Sequence, residues 1–141
     1  MSWDIYAMGG LPTNARTFKE IPSDFKATPI GGLQEVREKL IALLPGVDAS
    51  DPLWLVVDGP DFSIEIGVGD EDPCEGFAFF VRGSEGAVAI VSGILAAFGM
   101  RALDAQSDTG FFEPGPKALE SFRRWREYRD QVVGGGDKSS E

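Results

Sequence analysis

Residues 53–81 read LWLVVDGPDFSIEIGVGDEDPCEGFAFFV. A short apolar run, 53–57, meets the turn-forming residues Asp58, Gly59, Pro60 and Asp61. Beyond that turn, Phe62, Ile64, Ile66 and Val68 alternate with Ser63, Glu65 and Gly67. After the acidic loop 69–76, Phe77, Phe79 and Val81 alternate with Ala78 and Phe80. Successive side chains on a strand point to opposite faces, so this period of two predicts three antiparallel strands sharing one apolar face. Phe80 falls on the opposite face and needs a cover of its own.

Upstream, Trp3, Ile5 and Ala7 alternate with Asp4, Tyr6 and Met8, which predicts a first strand ended by Gly9, Gly10 and Pro12. The connection 11–30 is too long to be left loose, so Ile21 and Phe25 are expected to pin it to the body. Leu33, Val36, Leu40, Leu43 and Leu44 recur at helical spacing over 33–44, with Glu35 and Lys39 placed as an i,i+4 pair and Pro45 and Gly46 as the stop.

Downstream, Ser84 is an expected cap for a helix over 87–98, with Glu85 at the positive end of its dipole. That helix is almost wholly apolar, which predicts cover on more than one side; its small residues Gly86, Ala89, Gly93 and Ala97 would lie against the sheet, and Gly99 would end it. A short strand over 101–105 and a turn at 108–110 follow, and Pro114 and Pro116 break the chain before a last helix over 117–133. Leu119, Phe122, Trp125 and Val132 or Val133 form its stripe, and Trp125 with Phe122 are the expected cover for Phe80. Three glycines at 134–136 would stop the helix and release a flexible polar tail over 134–141. The expectation is therefore one α+β domain over 1–133, in the order β-α-β-β-β-α-β-α. Its sheet is mainly antiparallel, of about five strands, with the helices packed against it.

A chain of 141 residues can bury about two-thirds of its unfolded surface without staples. Cys74 is the single cysteine, so no internal disulfide can form. No basic segment followed by an apolar one opens the chain, and the stretch 87–100, interrupted by Ser92 and Gly93, falls short of the ~20 residues of a bilayer span. A cytoplasmic protein without membrane attachment is expected.

The net charge is −10 and is unevenly placed. Residues 48–86 carry ten acids against one base, Arg82, for a net of −9, whereas residues 1–47 balance five against five. Such a body repels phosphate backbones, so nucleic acid is not an expected partner; a basic protein is. Arg123, Arg124, Arg126 and Arg129 on the last helix are interrupted by Glu120, Glu127 and Asp130, and read as a solvated face or one that meets the acidic loop.

No histidine occurs, which excludes Ser-His-Asp and Cys-His catalysis and histidine-bearing zinc sites. Acids around Cys74 would raise its thiol pKa, the opposite of activation. Neither Gly9-Gly10 nor Gly67-Val68-Gly69 opens a helix, so no phosphate loop, and no cofactor, is expected. In the loop GDEDPCEG, Asp70 and Asp72 match the first and third positions of an EF-hand, but Cys74 and Glu75 stand where an oxygen ligand and a glycine belong; no metal is expected. Glu65 is either half of a general acid/base pair or the partner of Arg82 in a cross-strand ion pair, the latter favoured. The candidate binding set is Asp58, Asp61, Glu65, Asp70, Glu71, Asp72, Glu75 and Arg82, with no catalytic residue named.

Several short motifs occur in order from Trp3 to Phe112: Trp3-Asp4-Ile5, Ile21-Pro22, Pro29-Ile30-Gly31, Ser50-Asp51-Pro52 with Trp54, Ser63-Ile64-Glu65, Gly69-Asp70 with Pro73, Val81-Arg82-Gly83, and Ala102-Leu103-Asp104 with Thr109-Gly110 and Phe112. On these the chain resembles a family of small, functionally uncharacterised bacterial proteins. The resemblance implies a free-standing single domain and carries no activity.

The function expected is a non-enzymatic acidic protein-binding module, an immunity-type inhibitor of a basic bacterial toxin being one concrete version. The alternative is a small enzyme or ligand-binding domain using Glu65, Asp58 or Asp104 in a cleft at the sheet edge. A homo-oligomer through the Phe80 face is compatible with either.

Overall fold

The computed structural model describes residues 2–131 in full. The meander forms as β2 (Trp54–Asp58), β3 (Phe62–Gly67) and β4 (Gly76–Gly83). β1 (Trp3–Met8) adds to β4, and β5 (Ala102–Asp104) adds to β1. The sheet order is β2-β3-β4-β1-β5 and every pairing is antiparallel. Three helices complete the fold: α1 (Leu33–Leu43), α2 (Ala87–Phe98) and α3 (Pro116–Ser140). This is the expected α+β order. The glycine stop and polar tail over 134–141, and Val132 and Val133, fall outside the described residues.

Alternation divides the sheet into a dry face and an open one. Trp3, Ile5, Ala7, Leu55, Ile64, Ile66, Phe77, Phe79 and Val81 are buried in one core with Val36 and Leu40 of α1, Val88, Val91, Ile94 and Leu95 of α2, and Ala118, Phe122 and Trp125 of α3. All three helices therefore contribute to the core on the same side of the sheet. This corrects the expected cover for Phe80: Phe122 and Trp125 pack against Trp3, with Phe122 5.7 Å from the Trp3 ring, on the face Phe80 does not share.

α2 differs from expectation in a related way. Val88, Val91, Ile94 and Leu95 are buried, whereas Gly86, Ala89, Gly93 and Ala97 are exposed, because large side chains fill the space between helix and sheet better than small ones. Gly86 is its N-cap and Ser84 makes no side-chain cap. Gly99 ends it with φ 62°, the left-handed conformation glycine adopts without strain. Lys39 does not pair with Glu35; its Nζ donates to the Ala97 carbonyl at 2.9 Å and lies over the Phe98 ring, which places a cation at the negative end of α2. Leu43 stays largely exposed.

The long connection is anchored, as Ile21 and Phe25 predict. They join Leu11, Ala15 and Phe111 in a second, smaller cluster together with Met8 and Leu103. Met8 and Leu103 point away from the main core, so the connection covers the open face along the β1–β5 side. Arg101 fastens it: its Nη1 donates to the Pro12 and Ala15 carbonyls at 2.5 and 2.8 Å, and its guanidinium lies 3.7 Å over Phe111.

Candidate functional site

The half of the open face that the connection leaves bare is the candidate site. Register sets two adjacent rows across it. One runs Val56, Glu65, Phe80, Asp4; the other runs Trp54, Gly67, Ala78, Tyr6, Leu103. Phe80 thus has a carboxylate-bearing residue on each neighbouring strand, and its ring lies 5.7 Å from Trp54 and 6.3 Å from Tyr6. Between the two flanking aromatics the floor is small. A Cβ on Gly67 would come within 3.1 Å of the Trp54 ring, and one on Gly76 within 2.1 Å of the Ala7 carbonyl oxygen. A groove of about 320 Å³ opens along Gly67, Gly76 and Ala78, with Tyr6, Met8 and Glu75 beside it.

Glu65 and Arg82 form the ion pair that alternation favours, on this same face. Both side chains are well exposed, at 40% and 46%, so the pair contributes at most about 1 kcal/mol and can exchange partners. The Ser2 hydroxyl donates to Asp4, leaving that carboxylate on the surface with acceptor capacity to spare.

The candidate set from the sequence does not form one cluster. Asp58 and Asp61 stand at the β2–β3 turn, Glu65 and Arg82 on the open face, and Asp70, Glu71, Asp72 and Glu75 in the β3–β4 loop. The six-residue β3 separates turn from loop by roughly 20 Å. Sequence spacing had grouped them because a hairpin's two ends are close in number while opposite in space. Asp4 and Tyr6, which complete the surface, are legible in the sequence only as one side of a strand, and Trp54 only as part of an apolar run; register alone shows which strands flank Phe80.

The acidic loop has structural work of its own. Asp72 Oδ1 accepts the Leu33 amide at 3.0 Å at the start of α1, and Cys74 exchanges backbone bonds with Gly31 and Ile30. The Cys74 thiol is buried and donates to the Gly76 carbonyl at 3.2 Å; burial, and after it the charges of Glu71, Glu75 and Asp72, push its pKa up. Asp70, Glu71 and Glu75 rim a recess of about 220 Å³ here. Among the described residues no three histidine, cysteine or acidic side chains are grouped to hold a metal ion.

Asp104, named for an enzymatic alternative, is an interior residue with 1% exposure. Its Oδ1 accepts from the Trp3 indole and from the Gln106 amide, each at 2.9 Å, while Oδ2 is sealed without a hydrogen-bond partner. Desolvation raises its pKa against the lowering effect of those bonds, of the neighbouring Ser121 hydroxyl, which lies outside hydrogen-bond geometry, and of the Arg124 charge. A recess of about 630 Å³ lies between the end of α2 and residues 112–114; it is lined by Leu95, Met100 and Phe112 with Glu113, and by none of the candidate acids.

Arg124 and Lys117 of α3 pair elsewhere than with the acidic loop. Arg124 Nη1 donates to Asp108 at 2.6 Å and to the Gln106 carbonyl at 3.1 Å, holding the Asp108 pKa down, and Lys117 pairs with Glu113 at 3.2 Å. Among the described residues no helix is long and apolar enough to cross a membrane. Comparison with protein-family models, with curated proteins and with solved structures finds no match to this chain.

Proposed function

We propose that the protein is a non-enzymatic, cytoplasmic binding module that receives a basic protein partner on the helix-free side of its sheet. One observation carries this reading: Tyr6, Phe80 and Trp54 share a face left open by all three helices, flanked by Asp4 and Glu65, while Arg82 beside them is already held by Glu65. Tyr6 is exposed, and Phe80 and Trp54 are half-buried; aromatics with open surface ringed by polar groups are the usual anchors of protein interfaces, and like-signed charge around them selects the partner and accelerates encounter. The two acidic turns, Asp58 with Asp61 and Asp70 to Glu75, extend the negative field to both ends of the face. An immunity-type inhibitor of a basic bacterial toxin is the concrete version. The likeness to small bacterial single-domain proteins belongs to the same proposal.

The test is capture with the tagged full chain from a lysate of the source organism, at low and at high salt. A basic protein retained at low salt, released at high salt, and lost with Asp4→Asn/Glu65→Gln supports the reading. Recovery of no basic protein at either salt overturns it.

A further inference from the structure

Resting on that reading, we infer that the contact centre is the trough around Phe80, and that its occupant is an arginine side chain of the basic partner. Phe80 offers an aromatic surface between Trp54 and Tyr6, and the register places Asp4 on one side of it and Glu65 on the other. A guanidinium stacks on aromatic faces and bonds carboxylates in its own plane, so it satisfies both halves of this arrangement at once; a compact, strongly hydrated ammonium satisfies them less well. The molecule already pairs these chemistries: Arg82, two residues along β4 from Phe80, reaches Glu65 from the same face, and Arg101 lies flat over Phe111. On the far side of Tyr6 and Ala78 from Phe80, a separate groove of about 320 Å³ over Gly67 and Gly76 leaves room for apolar side chains next to the arginine.

The probe is a short synthetic peptide of alternating arginine and leucine, titrated into the full chain at low salt. The readout is the change in tryptophan emission that Trp54→Phe abolishes, since Trp3 and Trp125 are buried in the core away from this face. Binding should be saturable and tighter than that of the matching lysine–leucine peptide. Phe80→Ala should weaken it about tenfold or more, and Asp4→Asn/Glu65→Gln should weaken it several-fold. Arg82→Gln, which frees Glu65, should tighten it. Neutralising Asp70, Glu71 and Glu75 together should change it by less than about threefold, as distant steering charges do. Should Phe80→Ala fold poorly, Tyr6→Ala at an exposed position carries the same expectation.

Peptide binding that the loop variant weakens more than the trough variants overturns the trough while leaving the basic-partner reading intact. Equal binding of a glutamate–leucine peptide, or a self-associated state that buries Trp54, overturns it as well. Absence of binding by the arginine peptide overturns the trough, and the lysate capture then decides the basic-partner reading on its own.

Discussion

The indole Nε1 of Trp3 donates to Oδ1 of Asp104 at 2.9 Å, inside the core, tying β1 to β5. Asp104 has its pKa raised by burial, so the folded state holds its proton more tightly than the unfolded chain does. Its charged form therefore costs stability, a cost absent below the unfolded pKa and growing as pH rises through the folded one. Asp104→Asn keeps an acceptor for Trp3 and cannot ionise. The melting temperature of the variant minus that of the native chain should increase from about pH 3 to pH 7. A difference that is flat or falls with pH would contradict it. Glu20, Asp48 and Asp108, whose pKa values are lowered, act in the opposite direction and cancel in this difference.

The aromatic residues on the two sides of the sheet should differ sharply in cost. Phe122→Ala and Trp125→Ala empty space in the core beside Trp3, and each should lower stability by about 3–5 kcal/mol in urea unfolding. Trp125→Phe should cost much less, because the Trp125 indole nitrogen is buried without a partner among the described residues. Phe80→Ala, on the open face, should cost about 1 kcal/mol. Ending the chain before Pro116 removes Ala118, Phe122 and Trp125 together and should leave it unfolded or bound by hydrophobic dyes.

The strand pattern was readable because a half-buried sheet writes its burial into every second residue. Trp3 to Met8 and Phe62 to Gly67 appear in the sequence as they do in the fold. α2 was readable as a helix but not in orientation: with nearly every residue apolar, its periodicity does not say which side is inward, and Ala89 and Gly93 proved to face solvent. Alternation puts Phe80 on the correct face, yet its neighbours depend on pairing β1 beside β4, a contact between residues about seventy positions apart in the chain. The ion pair of Glu65 and Arg82 followed from alternation alone, since both lie on adjacent strands of one hairpin.

Cys74 should be a slow thiol. It is 1% exposed, donates to the Gly76 carbonyl, and has its pKa raised chiefly by burial. A disulfide reagent such as dithionitrobenzoate should react with the native chain far more slowly than with the chain in concentrated urea, and raising the pH to 9 should narrow the gap only slightly. Equal rates in the two states would show that the 69–76 loop does not close over the sulfur.

The charge and openness of the bare sheet face can be read from a single residue. Trp54 is the one tryptophan on that face; Trp3 and Trp125 are 1% and 2% exposed. Collisional quenching of tryptophan emission at matched low ionic strength, each quencher scaled to its effect on free N-acetyltryptophanamide, should be stronger with caesium, a cation, than with iodide, an anion, and Trp54→Phe should abolish the difference. Iodide quenching as strong as caesium, or a caesium response that survives Trp54→Phe, would contradict an acidic, uncovered aromatic surface around Phe80.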